Sequence, residues 1–132
     1  PYALKRSRIT DPHVFEPLLA LDSLDMHAEH RQQILQACQR AQEQRIVIVH
    51  GTDTMRETAE VLGHAALEKT IVLTGAMVPY LIAESDALFN LGFACAAAKL
   101  CSQGVYIAMN GRVFAWDDVK KNRAAGVFEN AR

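Results

Sequence analysis

From Leu18 onward, short uninterrupted apolar runs alternate with longer stretches in which apolar residues recur every three or four positions. That patterning predicts strands and helices taking turns around a largely parallel sheet. Leu18-Leu19-Ala20-Leu21-Asp22 reads as the first strand, left through a turn at Ser23-Leu24-Asp25-Met26. The helix expected next carries Ile34, Leu35, Cys38 and Ala41 on one face and Arg31, Gln32, Gln36, Gln39 and Arg40 on the other, with Asp25 as its N-cap. Arg45-Ile46-Val47-Ile48-Val49 shows no polar alternation, so it is expected to be a central strand covered on both faces.

Thr54 followed by Glu57 fits a capping box, which starts a helix just past Asp53 with Met55, Ala59 and Leu62 on its buried side. Thr70-Ile71-Val72-Leu73-Thr74 is the next buried strand, and Pro79 marks the loop after it, which runs to Glu84. Ser85 is expected to cap a long helix with Leu88, Leu91, Cys95 and Ala98 among its apolar positions. Gly104 to Met109 reads as the last buried strand, and Asn110-Gly111 as a two-residue hairpin returning through Arg112 to Trp116. Asp117 to Arg132 is polar and reads as less regular.

Composition narrows what such a sheet can serve. Half of the 132 residues are hydrophobic, enough to fill the core of one domain without a disulfide or a structural metal. Fourteen basic against fifteen acidic side chains give a net charge of −1, which favours a small polar ligand over nucleic acid or an anionic membrane. Cys38, Cys95 and Cys101 are odd in number and lack Cys-x-x-Cys spacing, which suits a reducing compartment. With no apolar run of bilayer length and no signal-peptide pattern, the expected location is the cytoplasm.

In open α/β sheets ligands gather at the carboxyl ends of parallel strands. Ser23, Gly51-Thr52-Asp53 and Gly75-Ala76 each follow a predicted strand. Thr52 beside Asp53 sets a hydroxyl next to a carboxylate, able to hold an amino group and to handle a water or carbonyl. The same residues also read as an ordinary N-capped turn. Lys121 stands beside Lys120 and Arg123, a setting in which a lysine could take a threonine proton, but the run reads equally as a solvated basic loop. His27, His30, His50 and His64 show no third ligand at metal spacing, so neither a metal nor another cofactor is expected. The histidines are expected to be surface or packing residues.

His50-Gly51-Thr52-Asp53-Thr54-Met55, with Glu57-Thr58-Ala59 behind it, resembles the second signature of the bacterial-type L-asparaginase and glutaminase-asparaginase family. Three further segments agree in order: Asp22 to Met26; Val72 to Pro79 with Ser85-Asp86 and Asn90-Leu91; and Gly104 to Asn110 with Asp118-Val119-Lys120-Lys121. The resemblance implies a three-layer α/β sandwich around a mostly parallel sheet. It also implies hydrolysis of a side-chain amide through a threonine acyl-enzyme, with L-asparagine as substrate and L-glutamine as the other candidate. On that likeness Thr52, Asp53 and Lys121 are catalytic. Ser23 would bind the α-carboxylate and Asp53 the α-ammonium, with Gly51 and Thr52 also counted as substrate-binding, and the backbone around Ala76 would meet the scissile amide. A homo-oligomer, dimer or tetramer, is expected by the same analogy.

The family's first signature, a Thr-Gly-Gly-Thr run supplying the attacking threonine, does not occur among these residues, and Leu24 stands where many members carry a polar residue. Residues 1–132 are therefore expected to form a catalytic domain without its nucleophile segment and without the usual smaller C-terminal domain, the natural polypeptide extending upstream of Pro1. The competing reading is a catalytically silent aspartate- or asparagine-binding module of the same fold. A less specific one is an unrelated α/β hydrolase or phosphate-binding protein.

Overall fold

The computed structural model describes residues 2–19 and 22–132. A short helix α1 (Tyr2–Arg6) and a turn of 3-10 helix (Ser23–Asp25) precede α2 (Ala28–Arg40), β1 (Arg45–Val49), α3 (Met55–Ala65), β2 (Thr70–Thr74), α4 (Ala87–Leu100) and β3 (Gly104–Met109). The chain ends in β4 (Arg112–Ala115), β5 (Lys120–Asn122) and β6 (Val127–Glu129). Four strands form one sheet in the order β1-β2-β3-β4, with β1, β2 and β3 parallel and β4 antiparallel.

Helices cover both faces of this sheet, which makes the three-layer α/β arrangement. On one face Ile71, Leu73, Val105 and Ile107 meet Ile34 and Cys38 of α2 and Met55, Ala59 and Leu62 of α3. On the other, Val72 and Ala108 meet Ala94, Ala97 and Ala98 of α4, whose small side chains let the helix lie close on the strands. Successive side chains of a strand point to opposite faces, so the unbroken run in β2 feeds both layers at once. Burial pushes the Cys38 thiol up to about 11, so at neutral pH it packs as a small hydrophobe.

The structure corrects several expectations. In the strand predicted over Leu18–Asp22, Ala20 and Leu21 lie outside the described residues, while Leu18, Leu19 and Asp22 belong to no strand. β1 is an edge strand of the described sheet rather than a central one: it pairs only with β2, and Val49 is 72% exposed. Ile46, Val47 and Ile48 still pack against the two cores, and that packing explains a β-branched run at an edge. His27, not Asp25, is the N-cap of α2; Asp25 closes the 3-10 turn, which Asp22 caps by accepting from Leu24 N at 3.1 Å.

The hairpin at Asn110-Gly111 forms with both residues at positive φ, 52° and 86°, and four register pairs join β3 to β4. The tail is more regular than its polarity predicts. β5 and β6 pair in an antiparallel hairpin whose Val119 and Phe128 are buried in the main core.

Candidate active site

β1 and β2 end side by side, Val49 against Thr74, and His50 N donates to Thr74 O at 2.8 Å as the chains leave the sheet. Gly51 then rests on Ser23. A Cβ at Gly51 would stand 2.8 Å from Ser23 Oγ and 2.9 Å from Ser23 Cβ, so a side chain there would push the turn off its support. Ser23 is 1% exposed, and its Oγ accepts from Thr54 N at 3.3 Å.

Thr54 is the N-cap of α3 but makes no side-chain capping bond. Its hydroxyl donates instead to the Ser23 carbonyl at 2.7 Å, so the predicted capping box with Glu57 does not form. The Ser23 carbonyl is a nearly buried acceptor that Met26 N reaches only at 3.3 Å, and the shorter bond from Thr54 outweighs capping a helix end that reaches water. The threonine thereby staples the 3-10 turn to the Gly51 turn.

His50 supports the same turn from beneath. Its Nδ1 lies 2.6 Å from Gly51 O and its Nε2 2.8 Å from Thr58 Oγ1. A carbonyl only accepts, so Nδ1 carries the proton and Nε2 accepts from the Thr58 hydroxyl, to which Arg31 Nε also donates at 3.1 Å. Burial lowers the His50 pKa below its ordinary value, and the nearby Arg31 charge adds to that, against the opposing pull of the Gly51 bond and of Glu57. His50 is a neutral, fully bonded strut, a place that sequence patterning assigned only to packing in general.

Lys121 enters from β5. Lys121 is paired across the hairpin with Phe128, so the two share a face, and burying Phe128 turns the Lys121 side chain inward, to 15% exposure, while Lys120 faces the other way and pairs with Glu129 at 3.5 Å. Lys121 Nζ donates to Thr52 Oγ1 at 2.9 Å and to Asp53 Oδ1 at 2.8 Å. Arg123 adds a bond from its guanidinium to Asp53 O at 3.3 Å and a contact to Oδ1 at 3.8 Å. The hydrogen bond from Lys121 first, then the Lys121 and Arg123 charges, hold the Asp53 carboxyl below the ordinary carboxylate range despite an opposing burial effect. Both cations contact Oδ1, which leaves Oδ2 of Asp53 for a ligand.

Gly75 and Ala76 leave β2 beside the His50–Gly51 turn. The loop that follows is gripped by Asp86, whose carboxylate accepts from Met77 N at 3.1 Å and Val78 N at 2.9 Å. Burial by itself would raise the Asp86 pKa, but these amides and the side chains of Asn110 and Asn90 outweigh it and hold the carboxyl below its ordinary value. Asp86, rather than Ser85, is also the N-cap of α4, while Ser85 Oγ accepts from Ala87 N at 3.1 Å.

The structure brings Thr52, Asp53 and Lys121 into direct contact and places Ser23 under Gly51 and Ala76 at the end of the adjacent strand. It disfavours the solvated-loop alternative for Lys121. His50, Thr58, Arg31 and the Asp86–Asn90–Asn110 set were not singled out from the sequence as site residues. A histidine, a threonine and an asparagine inside otherwise apolar helix or strand patterns were the available signal. Among the described residues no group of three or more His, Cys, Asp or Glu could hold a metal ion. Nor is any helix there long and apolar enough to cross a membrane.

The family model described as "Asparaginase, N-terminal" matches residues 3–129. The chain is similar to the probable periplasmic L-asparaginase of Haemophilus influenzae, 41% identical over 85 residues that make up 61% of this chain and 24% of that protein. It is similar to the L-asparaginase of Dirofilaria immitis, 36% identical over 123 residues, 88% of this chain and 20% of that one. Among solved structures, the thermostable L-asparaginase from Thermococcus kodakarensis superposes with a TM-score of 0.88 at 28% identity, covering 96% of this chain and 42% of that chain. The chain thus spans about a quarter or less of the length of these curated relatives.

Proposed function

The chain belongs to the N-terminal asparaginase family, and from that premise we propose that the protein is an amidohydrolase that converts L-asparagine to L-aspartate and ammonia. The observation that carries this reading is Lys121 Nζ, which holds Thr52 Oγ1 at 2.9 Å and Asp53 Oδ1 at 2.8 Å from 69 and 68 residues away in sequence. A solvated basic loop would not converge on one hydroxyl and one carboxylate.

In this proposal the Lys121 ammonium occupies a lone pair of Thr52 Oγ1 and leaves its hydroxyl hydrogen free to orient a water or the leaving amine. Asp53, kept anionic by Lys121 and Arg123, receives the substrate's α-ammonium through Oδ2. The Ser23 hydroxyl, which donates to no group among the described residues, is the donor for the α-carboxylate beside exposed Gly51. The Ala76 backbone meets the scissile amide and the oxyanion formed from it. The threonine that forms the acyl-enzyme is assigned to sequence outside these 132 residues, since no Thr-Gly-Gly-Thr run occurs within them. That same fact supports the alternative of a silent aspartate- or asparagine-binding module. A homo-oligomer remains part of the proposal, to be read from the native mass by light scattering.

The test is ammonia release from L-asparagine, with intact mass determined on the same sample. Release abolished by Thr52→Ala supports the reading, and ammonia release from a sample of mass well above 14.6 kDa would support a nucleophile in added sequence. Stabilisation by L-aspartate without ammonia release would favour the silent module.

A further inference from the structure

Asn90 is a polar residue with 0% exposure on α4, and all four of its hydrogen-bonding positions are used. Nδ2 donates to Gly75 O at 2.9 Å and to Asp86 Oδ2 at 2.9 Å, while Oδ1 accepts from Asn110 N at 2.9 Å and from Asn110 Nδ2 at 3.2 Å. Gly75 O and the carboxylate can only accept, and Asn110 N can only donate, so the neighbours dictate which way the Asn90 amide faces. Asn110 Nδ2 also donates to Asp86 Oδ2 at 2.8 Å, which ties the β3–β4 turn into the same network.

These bonds fall on either side of Ala76 and not on it. Asn90 holds the carbonyl before it, Gly75 O, and Asp86 holds the two amides after it, Met77 N and Val78 N. A backbone meant to stabilise developing charge has to be oriented in advance, because peptide groups that turn during reaction give back the stabilisation they supply. A loop that contains Gly75 and lies between a strand and a helix has no such rigidity of its own.

We propose that Asn90 and Asp86 are positioning residues that set the peptide groups around Ala76 for the substrate amide, by clamping Gly75 O on one side and the Met77 and Val78 amides on the other. This rests on the reading of Ala76 as the segment that meets the scissile amide. The two residues touch no reacting atom and act through the backbone they hold. Asn90→Asp would set a second carboxylate against Asp86 and Gly75 O, a change able to unfold the helix start. Asp86→Asn is the gentler variant: with its oxygen in the Oδ2 place it keeps Met77, Asn90 and Asn110, and it opposes only the Val78 amide.

The experiment measures ammonia release from L-asparagine, thermal melting and amide hydrogen exchange in the unchanged protein and in Asp86→Asn. The expected result is a kcat lower by about 10- to 100-fold, with KM within about threefold and the melting temperature nearly unchanged. The Val78 amide should exchange roughly tenfold faster. A faster-exchanging Val78 with an unchanged kcat would overturn the proposal, as would a kcat loss matched by a loss of folded protein. An unchanged protein that releases no ammonia, whether or not L-aspartate stabilises it, would show that the amidohydrolase reading has failed and would remove the inference with it, before any variant is compared.

Discussion

Gly75 passes so close to His50 that a Cβ on Gly75 would overlap the His50 carbonyl oxygen. Neither strand end can retreat, because His50 N is bonded to Thr74 O at 2.8 Å. Gly75→Ala should therefore cost at least about 1 to 3 kcal/mol through overpacking, seen as a lower urea midpoint. A midpoint equal to that of the unchanged protein would mean that the two strand ends part more easily than their bonding implies.

Lys121→Met keeps the side chain out to its ε carbon and removes the ammonium. Ammonia release should fall by at least about 100-fold, while an ion pair on a partly exposed carboxylate should move the melting temperature by no more than about 5 °C. A much larger loss of stability would make Lys121 a structural residue.

His50 should leave a mark on the pH dependence of stability. Its folded pKa lies below the ordinary 6.5, so between the two values the unfolded chain binds more protons than the folded one. The stability it contributes is complete above the unfolded value and is lost as pH falls toward the folded one. Proton NMR should find one imidazole titrating below 6.5 and protonated on Nδ1 at neutral pH. Assignment of a resonance titrating above 6.5 to His50 would contradict the buried neutral strut.

Thr54 and Glu57 separate two accounts of the start of α3. Because Thr54 Oγ1 donates to Ser23 O at 2.7 Å, Thr54→Val should cost about 1 kcal/mol by leaving that nearly buried carbonyl with only the longer bond from Met26 N, 3.3 Å. Glu57→Ala should stay within about 0.5 kcal/mol, as for other exposed positions. Chemical denaturation measures both, and equal losses would restore the capping box.

The alternation of apolar runs and amphipathic stretches determined the element order from α2 to β4, because the 2-residue and 3.6-residue periods are local properties of the chain. Glycine and asparagine determined the β3–β4 turn for the same local reason: Asn110 and Gly111 tolerate positive φ. The residue types of the turn at Gly51-Thr52-Asp53 and of Lys121 were legible as candidates, and the resemblance grouped them. Local patterning could not tell that β1 lies at an edge of the described sheet, because an apolar run records burial and not how many neighbours a strand has. It could not see that Val119 and Phe128 anchor the polar tail, nor that Thr54 spends its hydroxyl on Ser23 instead of its own helix. The contacts from Lys121 to Thr52 and from Asn90 to Gly75 join residues 69 and 15 positions apart. Only the tertiary structure decides such bonds, because they depend on where separate elements come to rest and on which buried polar group would otherwise go unpaired.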